Sequence, residues 1–440
     1  MMEPIPILGV AGRPVLHSMS PAIFRELFRA SRVEAAYSRV AASSAVEAVA
    51  ALRSLGMRGL NLTAPLKEEA LALADELSPE ARALGAVNCL VASDGRIRGA
   101  NTDPAGVLGA LRGIGAEGRG RSCLVIGAGG AARAAAWALA SAGGKVVVAN
   151  RTRKRAEELA IRFGCRAAGL EELPSLASSA EIIVSTLSSD FLPDPESWLP
   201  RSAIYVLDAD YKTGALARSA SARGLAVATG ADWLACQALP AYELFMGRPP
   251  ELGPTETARL LGTARRAYEP GRKIALVGLM GAGKSRSGEA LAESLGLAFV
   301  DLDQEIGREA GASIPEIFRR EGESGFRERE LRVLDRITSI SGPAVLAAGG
   351  GAPTSAASAA ILRERCLCVW LLVSPATAAD RTRGGGRPLL EGFDPQARLA
   401  SLEAERRGAY AACSGLIVST EGREPEAVAE VIHDEIARLS

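Results

Sequence analysis

The chain is poor in aromatic side chains and carries no excess of charge of either sign. Aromatics make up 4% of its 440 residues, so an aliphatic core and alanine-rich helices are expected. Basic and acidic side chains number 51 each, which leaves no global field to gather nucleic acid or an anionic membrane. The longest charge-free stretch, 337–362, is interrupted by Pro343, Gly349-Gly350-Gly351 and Pro353, and reads as strand, loop and helix rather than a membrane span. The N-terminal MMEPIPILGV has no cationic region ahead of an apolar one, so no secretory signal is expected. The seven cysteines are scattered and odd in number. Cys366 and Cys368 alternate within CLCVWLLV as core positions and supply too few ligands for a metal knuckle. A reducing cytoplasm fits this usage.

What remains is a globular composition, 48% apolar and 23% charged, long enough for about three compact units at roughly 150 residues each. Short apolar runs alternate with alanine-rich amphipathic segments, the pattern of an α/β fold in which parallel sheets are joined by crossover helices. Two such units carry a glycine-rich turn directly after an apolar strand: CLVIGAGGAARAAAWALASAGG from Cys123 and IALVGLMGAGKSRSGEALAESLG from Ile274. The expected boundaries are a first unit over 1–103, a dinucleotide-type unit over 104–236 and a helix in 237–250 returning to the first unit. A linker follows over 251–272, and the last domain spans 273–440.

The second loop, Gly278 to Ser285, fits G-x-x-x-x-G-K-[ST] between a strand and a helix. Gly281, Ala282 and Gly283 let backbone N–H groups curl around phosphates, and the helix start adds partial positive charge. Lys284 is placed to reach the β- and γ-phosphates of a nucleoside triphosphate, and the Ser285 hydroxyl to ligate Mg²⁺. The next apolar strand ends Phe299-Val300-Asp301-Leu302-Asp303, so two carboxylates stand at the carboxyl end of a strand, where open α/β sheets hold ligands. One can serve the metal and the other an acceptor hydroxyl.

With DLDQEIGREAGASIPEIF, EGESGFRERE, AAGGGAP, RGGGRPLL and AERRGAY following in that order, the whole last domain resembles shikimate kinase, a P-loop kinase with a parallel sheet. The resemblance implies that Asp303 and Arg327 hold shikimate and that Arg406 binds its carboxylate, with the adjacent Arg407 as the alternative. It implies close backbone approach at Gly349, Gly350 and Gly351, Asp301 in the Mg²⁺ shell and Arg387 closing over the transferring phosphate. Either Arg381 or Arg383 is left to stack on the adenine. Forked guanidinium donors suit a ring carboxylate as lysine would not.

The first loop, Gly127-Ala128-Gly129-Gly130-Ala131-Ala132, has the G-x-G-x-x-[GA] form without Lys-Ser and suits a dinucleotide pyrophosphate. The following strand ends in Asn150-Arg151-Thr152, with Arg155 beyond. A carboxylate there would receive a ribose 2′-hydroxyl, whereas arginine favours a 2′-phosphate, so NADP(H) is the expected cofactor.

Gly12-Arg13-Pro14 with HSMSP, then GLNLTAPLKEEA, GAVNCL, GANTDPAG and GADWLACQALPAYELF, make residues 5–250 resemble shikimate dehydrogenase, a two-domain enzyme with a Rossmann-type NADP domain. The resemblance implies a catalytic pair, Lys67 and Asp103. Ser18, Ser20, Thr63, Asn88 and Gln237 would bind substrate hydroxyls and carboxylate, with Tyr211 in LDADYKTG as a further contact. His17 is expected to shape its loop rather than to move a proton. Phe24-Arg25 stands where the family has His-Asn, the stretch Val184 to Ser189 lacks the glycine of Asn-Ala-Thr-Ser-x-Gly, and Phe245-Met246-Gly247 replaces Trp-Thr-Gly. These departures bear on the cofactor side.

Together the two resemblances imply a cytoplasmic bifunctional enzyme. It would reduce 3-dehydroshikimate to shikimate with NADPH and phosphorylate the product with ATP and Mg²⁺, with no nucleic-acid or membrane partner. Two alternatives stand beside it: a first half acting on quinate, and a first half that binds NADPH or shikimate without turnover.

Overall fold

The computed structural model describes residues 5–201, 204–210, 214–265, 273–383, 388–390 and 392–439. The chain divides into two compact units, one drawn from Met1–Pro21, Glu34–Leu66 and Ala267–Ser440, the other from Ala22–Val33 and Lys67–Arg266. The fold is α/β with parallel sheets, as the alternation of apolar runs and amphipathic segments predicts. Among the described residues no helix is long and apolar enough to cross a membrane.

In the first unit the strands run in the order Ala298–Asp301, Ala344–Ala347, Lys273–Val277, Cys366–Leu372, Leu416–Ser419, Ala36–Ala41, Ile7–Gly12 and Gly59–Leu62. Every neighbouring pair is parallel. Lys273–Val277, Cys366–Leu372 and Ile7–Gly12 are buried along their whole lengths, so they read as unbroken runs rather than alternating ones. Cys366 and Cys368 are core positions of the second of these strands, and Cys368 Sγ lies 3.5 Å from the buried Cys413 Sγ without a disulfide. The sheet continues from the C-terminal into the N-terminal segments of this unit through Ile417 opposite Val40 and Val418 opposite Ala41. On its face, helix Pro425–Ala437 packs against helix Lys284–Leu295, which springs from the phosphate-type loop. The long helical segment Ile314–Ser339 is broken at Gly322, whose φ of 69° and ψ of −175° only glycine adopts readily.

The second unit holds a six-stranded parallel sheet in the order Ala226–Thr229, Tyr205–Asp208, Ile182–Ser185, Ser122–Ile126, Lys145–Ala149 and Arg166–Ala168. This is the doubly wound order, with the glycine loop after Ser122–Ile126 at the point where the winding reverses. Helix Gly130–Ser141 follows the loop, and its Ala132, Ala134, Ala135, Ala136 and Ala138 are buried. Helix Asp103–Gly113 packs closely on helix Gly230–Met246. At Gly106 an added Cβ would stand 2.5 Å from Trp233 Cδ1, and at Gly109 it would stand 2.8 Å from Cys236 Cβ. The antiparallel strands Cys89–Ser93 and Arg96–Ala100 turn through Asp94 and Gly95 with φ of 51° and 76°, the two-residue hairpin that both positive angles favour.

Candidate functional sites

Around the phosphate-type loop the backbone is shaped by glycine. Gly278, Gly281 and Gly283 have φ of 138°, 82° and 86°, and Cβ atoms at the first two would meet Leu371 O at 2.6 Å and Ala378 O at 2.7 Å. The loop borders a cleft of about 550 Å³ that Lys284, Ser285, Asp301, Asp303 and Arg381 also line. Lys284 Nζ donates to the carbonyls of Gly278 and Leu279, each at 3.0 Å. Ser285 Oγ donates to Asp301 Oδ2 at 2.6 Å, while Asp301 Oδ1 accepts from the amides of Asp303 and Gln304 and caps helix Leu302–Ala310. A hydroxyl beside one carboxylate is the hard-oxygen donor set that suits Mg²⁺, which keeps several waters and phosphate oxygens in its shell.

Beside this cleft, Asp303, Arg327, Arg406 and the run Gly349-Gly350-Gly351 come together. A Cβ at Gly349 would lie 3.3 Å from Asp303 Oδ1, and one at Gly351 only 2.0 Å from Arg327 Nη2. Arg406 Nη1 donates to Gly350 O at 3.2 Å. Arg407 instead reaches Glu403 and the carbonyl of Leu55, so of the two neighbours it is Arg406 that faces the glycine run. Arg381 donates to Thr420 O and Oγ1 at the cleft wall, whereas Arg383 pairs with Asp380 in solvent. Arg387 lies outside the described residues, as does the end of the sequence-based linker, 266–272.

Two partners of this cluster, the last residues of EGESGFRERE and AERRGAY, are given no role by those motifs. Glu330, fully buried, accepts from Arg327 Nη1 at 2.7 Å. Burial pushes its carboxyl above the ordinary value against the pull of the Arg327 charge, and Asp303 adds to the rise. Tyr410, likewise raised by burial, donates its hydroxyl to Gly350 O. The available signal for Glu330 was its place three residues after Arg327 on a helix.

In the second unit Lys67 Nζ donates to Asp103 Oδ2 at 2.6 Å. Asn88 Nδ2 donates to Asp103 Oδ1 at 2.8 Å, and its Oδ1 accepts from Thr102 N at 2.8 Å. The Thr102 hydroxyl donates to Gln237 Oε1 at 2.9 Å. Trp233 Nε1 binds the carbonyl of Asp103 at 3.0 Å, tying the start of one helix to the other. Asn88 and Gln237 are buried while Lys67 is partly open, so a fixed polar network supports one reachable ammonium. Thr102 and Trp233 are the members to which no motif gives a role, although they stand within GANTDPAG and GADWLACQALPAYELF.

In the first unit Ser18 Oγ and Ser20 Oγ lie 3.2 Å apart at the entrance to helix Ser20–Ala30. Thr63 follows strand Gly59–Leu62, and its methyl would meet a Cβ at Gly12 at 2.4 Å. His17 is held below its ordinary pKa, first by burial and then by the Arg39 charge. Tyr211 lies outside the described residues.

At the dinucleotide-type loop, Gly127 has φ of 116°, and a Cβ there would stand 2.3 Å from Thr186 Oγ1. Thr186 closes on the loop by donating its amide and hydroxyl to Ile126 O. Gly129, Gly130 and Ala131 are exposed, Ala128 is half-buried, and Cβ atoms on both glycines would meet open space. A pyrophosphate can therefore approach these amides at the start of a helix. Asn150 is buried and donates to Thr152 O at 3.0 Å, whereas Arg151, Thr152 and Arg155 are exposed. The Arg151 guanidinium lies 5.8 Å from the ring of the exposed Phe191, a flat cationic surface that suits a 2′-phosphate. A wider concavity of about 650 Å³ opens at the amino ends of Ser122–Ile126 and Lys145–Ala149, away from the strand ends at which such sheets hold ligands.

Two of the sequence departures meet each other. Phe24 and Phe245 are fully buried with ring centroids 5.9 Å apart, and Phe28 joins them beside Tyr242.

Comparison with known proteins places three family matches on the chain: shikimate dehydrogenase substrate binding domain over residues 10–90, shikimate / quinate 5-dehydrogenase over 112–196, and shikimate kinase over 280–437. The shikimate dehydrogenase (NADP(+)) of Symbiobacterium thermophilum is 36% identical over 285 residues, 60% of this chain and 96% of that protein. The shikimate kinase of Halorhodospira halophila is 46% identical over 161 residues, 36% of this chain and 90% of that protein. A solved structure of shikimate 5-dehydrogenase from Thermus thermophilus, in complex with NADP(H) and shikimate, matches with a TM-score of 0.53 and 36% identity, covering 59% of this chain and 100% of that one.

Proposed function

The chain belongs to the shikimate dehydrogenase family in its N-terminal part and to the shikimate kinase family in its C-terminal part, and from that premise we propose that it performs two successive reactions on one metabolite. The first reduces 3-dehydroshikimate to shikimate with NADPH, and the second phosphorylates the 3-hydroxyl of shikimate with ATP and Mg²⁺. The reading assigns substrate binding to 1–103 and 237–250, NADP to 104–236, a linker to 251–272 and the kinase to 273–440.

In the reduction, NADPH supplies the hydride. Lys67 gives a proton to the oxygen on which negative charge develops, and Asp103 holds Lys67 through the 2.6 Å contact and orients the neighbouring hydroxyl. A positioned acid of this kind contributes roughly 10²- to 10⁴-fold. Asn88, held by Thr102, keeps Asp103 from rotating away. Ser18, Ser20, Thr63, Asn88 and Gln237 are the short polar groups assigned to the substrate hydroxyls and carboxylate, and Tyr211 is assigned as a further contact. The amides of Gly127, Ala128, Gly129, Gly130 and Ala131 are assigned to the pyrophosphate. Asn150, Arg151, Thr152 and Arg155 are assigned to the 2′-phosphate side.

In the transfer, ATP supplies the phosphoryl group, and Ser285 with Asp301 would hold the Mg²⁺ that neutralises its charge. Gly281, Ala282, Gly283 and Lys284 bind the phosphates. Asp303 accepts the hydroxyl proton and orients the acceptor oxygen. Arg327, fixed by Glu330, and Arg406 bind the ring carboxylate against the backbone of Gly349, Gly350 and Gly351, and Arg387 is assigned to the transferring phosphate.

The observation that carries this reading is the gathering of Asp303, Arg327 and Arg406 beside the phosphate loop, in the same chain as a Lys67–Asp103 pair with its own dinucleotide loop. The test is incubation of the purified chain with 3-dehydroshikimate, NADPH and ATP-Mg²⁺, with both products followed by mass. Absence of either mass change rejects the corresponding half. Replacing shikimate by quinate and NADP⁺ by NAD⁺ in the reverse reaction decides the first site's specificity.

A further inference from the structure

The loop that presents Ser18 and Ser20 is held from the last helix of the chain. Glu435, on helix Pro425–Ala437, is 1% exposed, and its Oε2 accepts from the amides of Val15 and Leu16, each at 2.8 Å. Its Oε1 has no hydrogen-bond partner among the described residues. A buried carboxylate is costly to desolvate and persists only where donors compensate it, so the two loop amides are what its position serves. Two further contacts bracket the same loop. Arg13 Nη2 meets the neighbouring Asp434 Oδ2 at 2.8 Å. The buried Arg39 donates through Nε and Nη2 to Ser18 O and through Nη1 to Gly415 O, just before strand Leu416–Ser419. The loop therefore has both ends fastened to the C-terminal segment of its unit, and the two serine hydroxyls follow directly.

We propose that Glu435 is a positioning residue for the reduction: from the kinase part of the chain it fixes the Arg13–Ser20 loop and so pre-orients the Ser18 and Ser20 hydroxyls offered to the substrate. The proposal rests on the dehydrogenase reading above. It makes the C-terminal helix a working part of the first reaction, although that helix supplies no group to it. A loop already ordered before binding spares the substrate the cost of ordering it. Loss of the clamp therefore weakens substrate binding more than it slows the chemical step.

The test compares the full-length wild type with Glu435→Ala and Glu435→Gln. In Glu435→Ala the KM for 3-dehydroshikimate rises about tenfold, the size of a lost hydrogen bond to a charged group. Its kcat stays within about twofold, and the KM for NADPH and both kinase constants are unchanged. Amide hydrogen exchange at Val15 and Leu16 accelerates about tenfold in parallel. Glu435→Gln keeps one carbonyl acceptor for both amides and falls between the two. Unaltered exchange at Val15 and Leu16, or an unshifted KM in an active enzyme, overturns the proposal. Equal losses in both reactions with a lowered Tm also overturn it, since they mark a merely structural residue. A wild type that reduces no 3-dehydroshikimate fails at the earlier step and overturns the dehydrogenase reading itself.

Discussion

Lys67 Nζ and Asp103 Oδ2 stand 2.6 Å apart, and the second oxygen of that carboxylate is taken by Asn88. Asp103 is thus pinned on both sides, and Lys67 has a fixed partner while remaining reachable. Lys67→Ala should lower the kcat of reduction by roughly 10²- to 10⁴-fold and leave shikimate phosphorylation within experimental error. Asp103→Asn should fall in the same range. Steady-state rates of NADPH oxidation and ATP consumption on the same preparations check both.

Asp303 lies beside Gly349 and the phosphate cleft. Asp303→Asn should abolish phosphoryl transfer while ATP still binds, because Lys284, Ser285 and Asp301 are untouched. Nucleotide titration by fluorescence or calorimetry alongside turnover separates the two. Near-normal turnover in this variant would remove Asp303 from the acceptor site.

The proposed function rests cofactor choice on exposed cations. Arg151 and Arg155 follow strand Lys145–Ala149, and no carboxylate stands among residues 150–155. The double variant Arg151→Ala/Arg155→Ala should lose about 10- to 100-fold in kcat/KM for NADPH, the worth of one or two charge-assisted hydrogen bonds. NADH should be used about as well as before. Equal losses with both nucleotides would move the 2′-phosphate elsewhere.

Gly106 tests the helix contact that carries Asp103. Its Cβ would press on Trp233 Cδ1 at 2.5 Å and Gln237 Cβ at 2.7 Å, within a close-packed seam. Gly106→Ala should destabilise the second unit by about 1–3 kcal/mol through overpacking, read as a lower urea midpoint. It should also raise the KM for 3-dehydroshikimate as Gln237 shifts.

A pH dependence follows from Glu330, whose carboxyl is raised by burial; Asp208 and Glu435 are raised for the same reason. The folded chain then binds these protons more tightly than the unfolded chain. The stabilisation is complete below the unfolded carboxylate value of about 4.3 and is lost as pH rises through the folded value. Between those points the wild-type Tm should fall with rising pH more steeply than that of Glu330→Gln. Parallel curves would show that Glu330 titrates as it does in the unfolded chain.

The loops around Gly127 and Gly278 and the pair Asp301 and Asp303 were legible in the sequence because each is a short run whose chemistry is local. Partners that act across the fold were not. Thr102 and Glu330 stand inside the runs GANTDPAG and EGESGFRERE, but their work is to hold Asn88 and Arg327, and only the fold shows which neighbour each one grips. Arg406 and Arg407 could not be told apart by motif, yet on a helix adjacent side chains diverge by about 100°, and only one faces Gly350. Phe24 and Phe245 read separately as departures on the cofactor side, whereas in the fold they are a packed pair. Parallel pairing of Leu416–Ser419 with Ala36–Ala41 leaves no local trace, since it is fixed by packing between distant segments.

That last pairing limits how the molecule can be taken apart. Cutting the gene between its two catalytic activities would strip a neighbour from both Leu416–Ser419 and Ala36–Ala41, baring a row of N–H and C=O groups on each fragment. Raw sheet rims of this kind recruit other chains, so fragments expressed alone should clump unless each is given a polar cover where its sister strand used to lie.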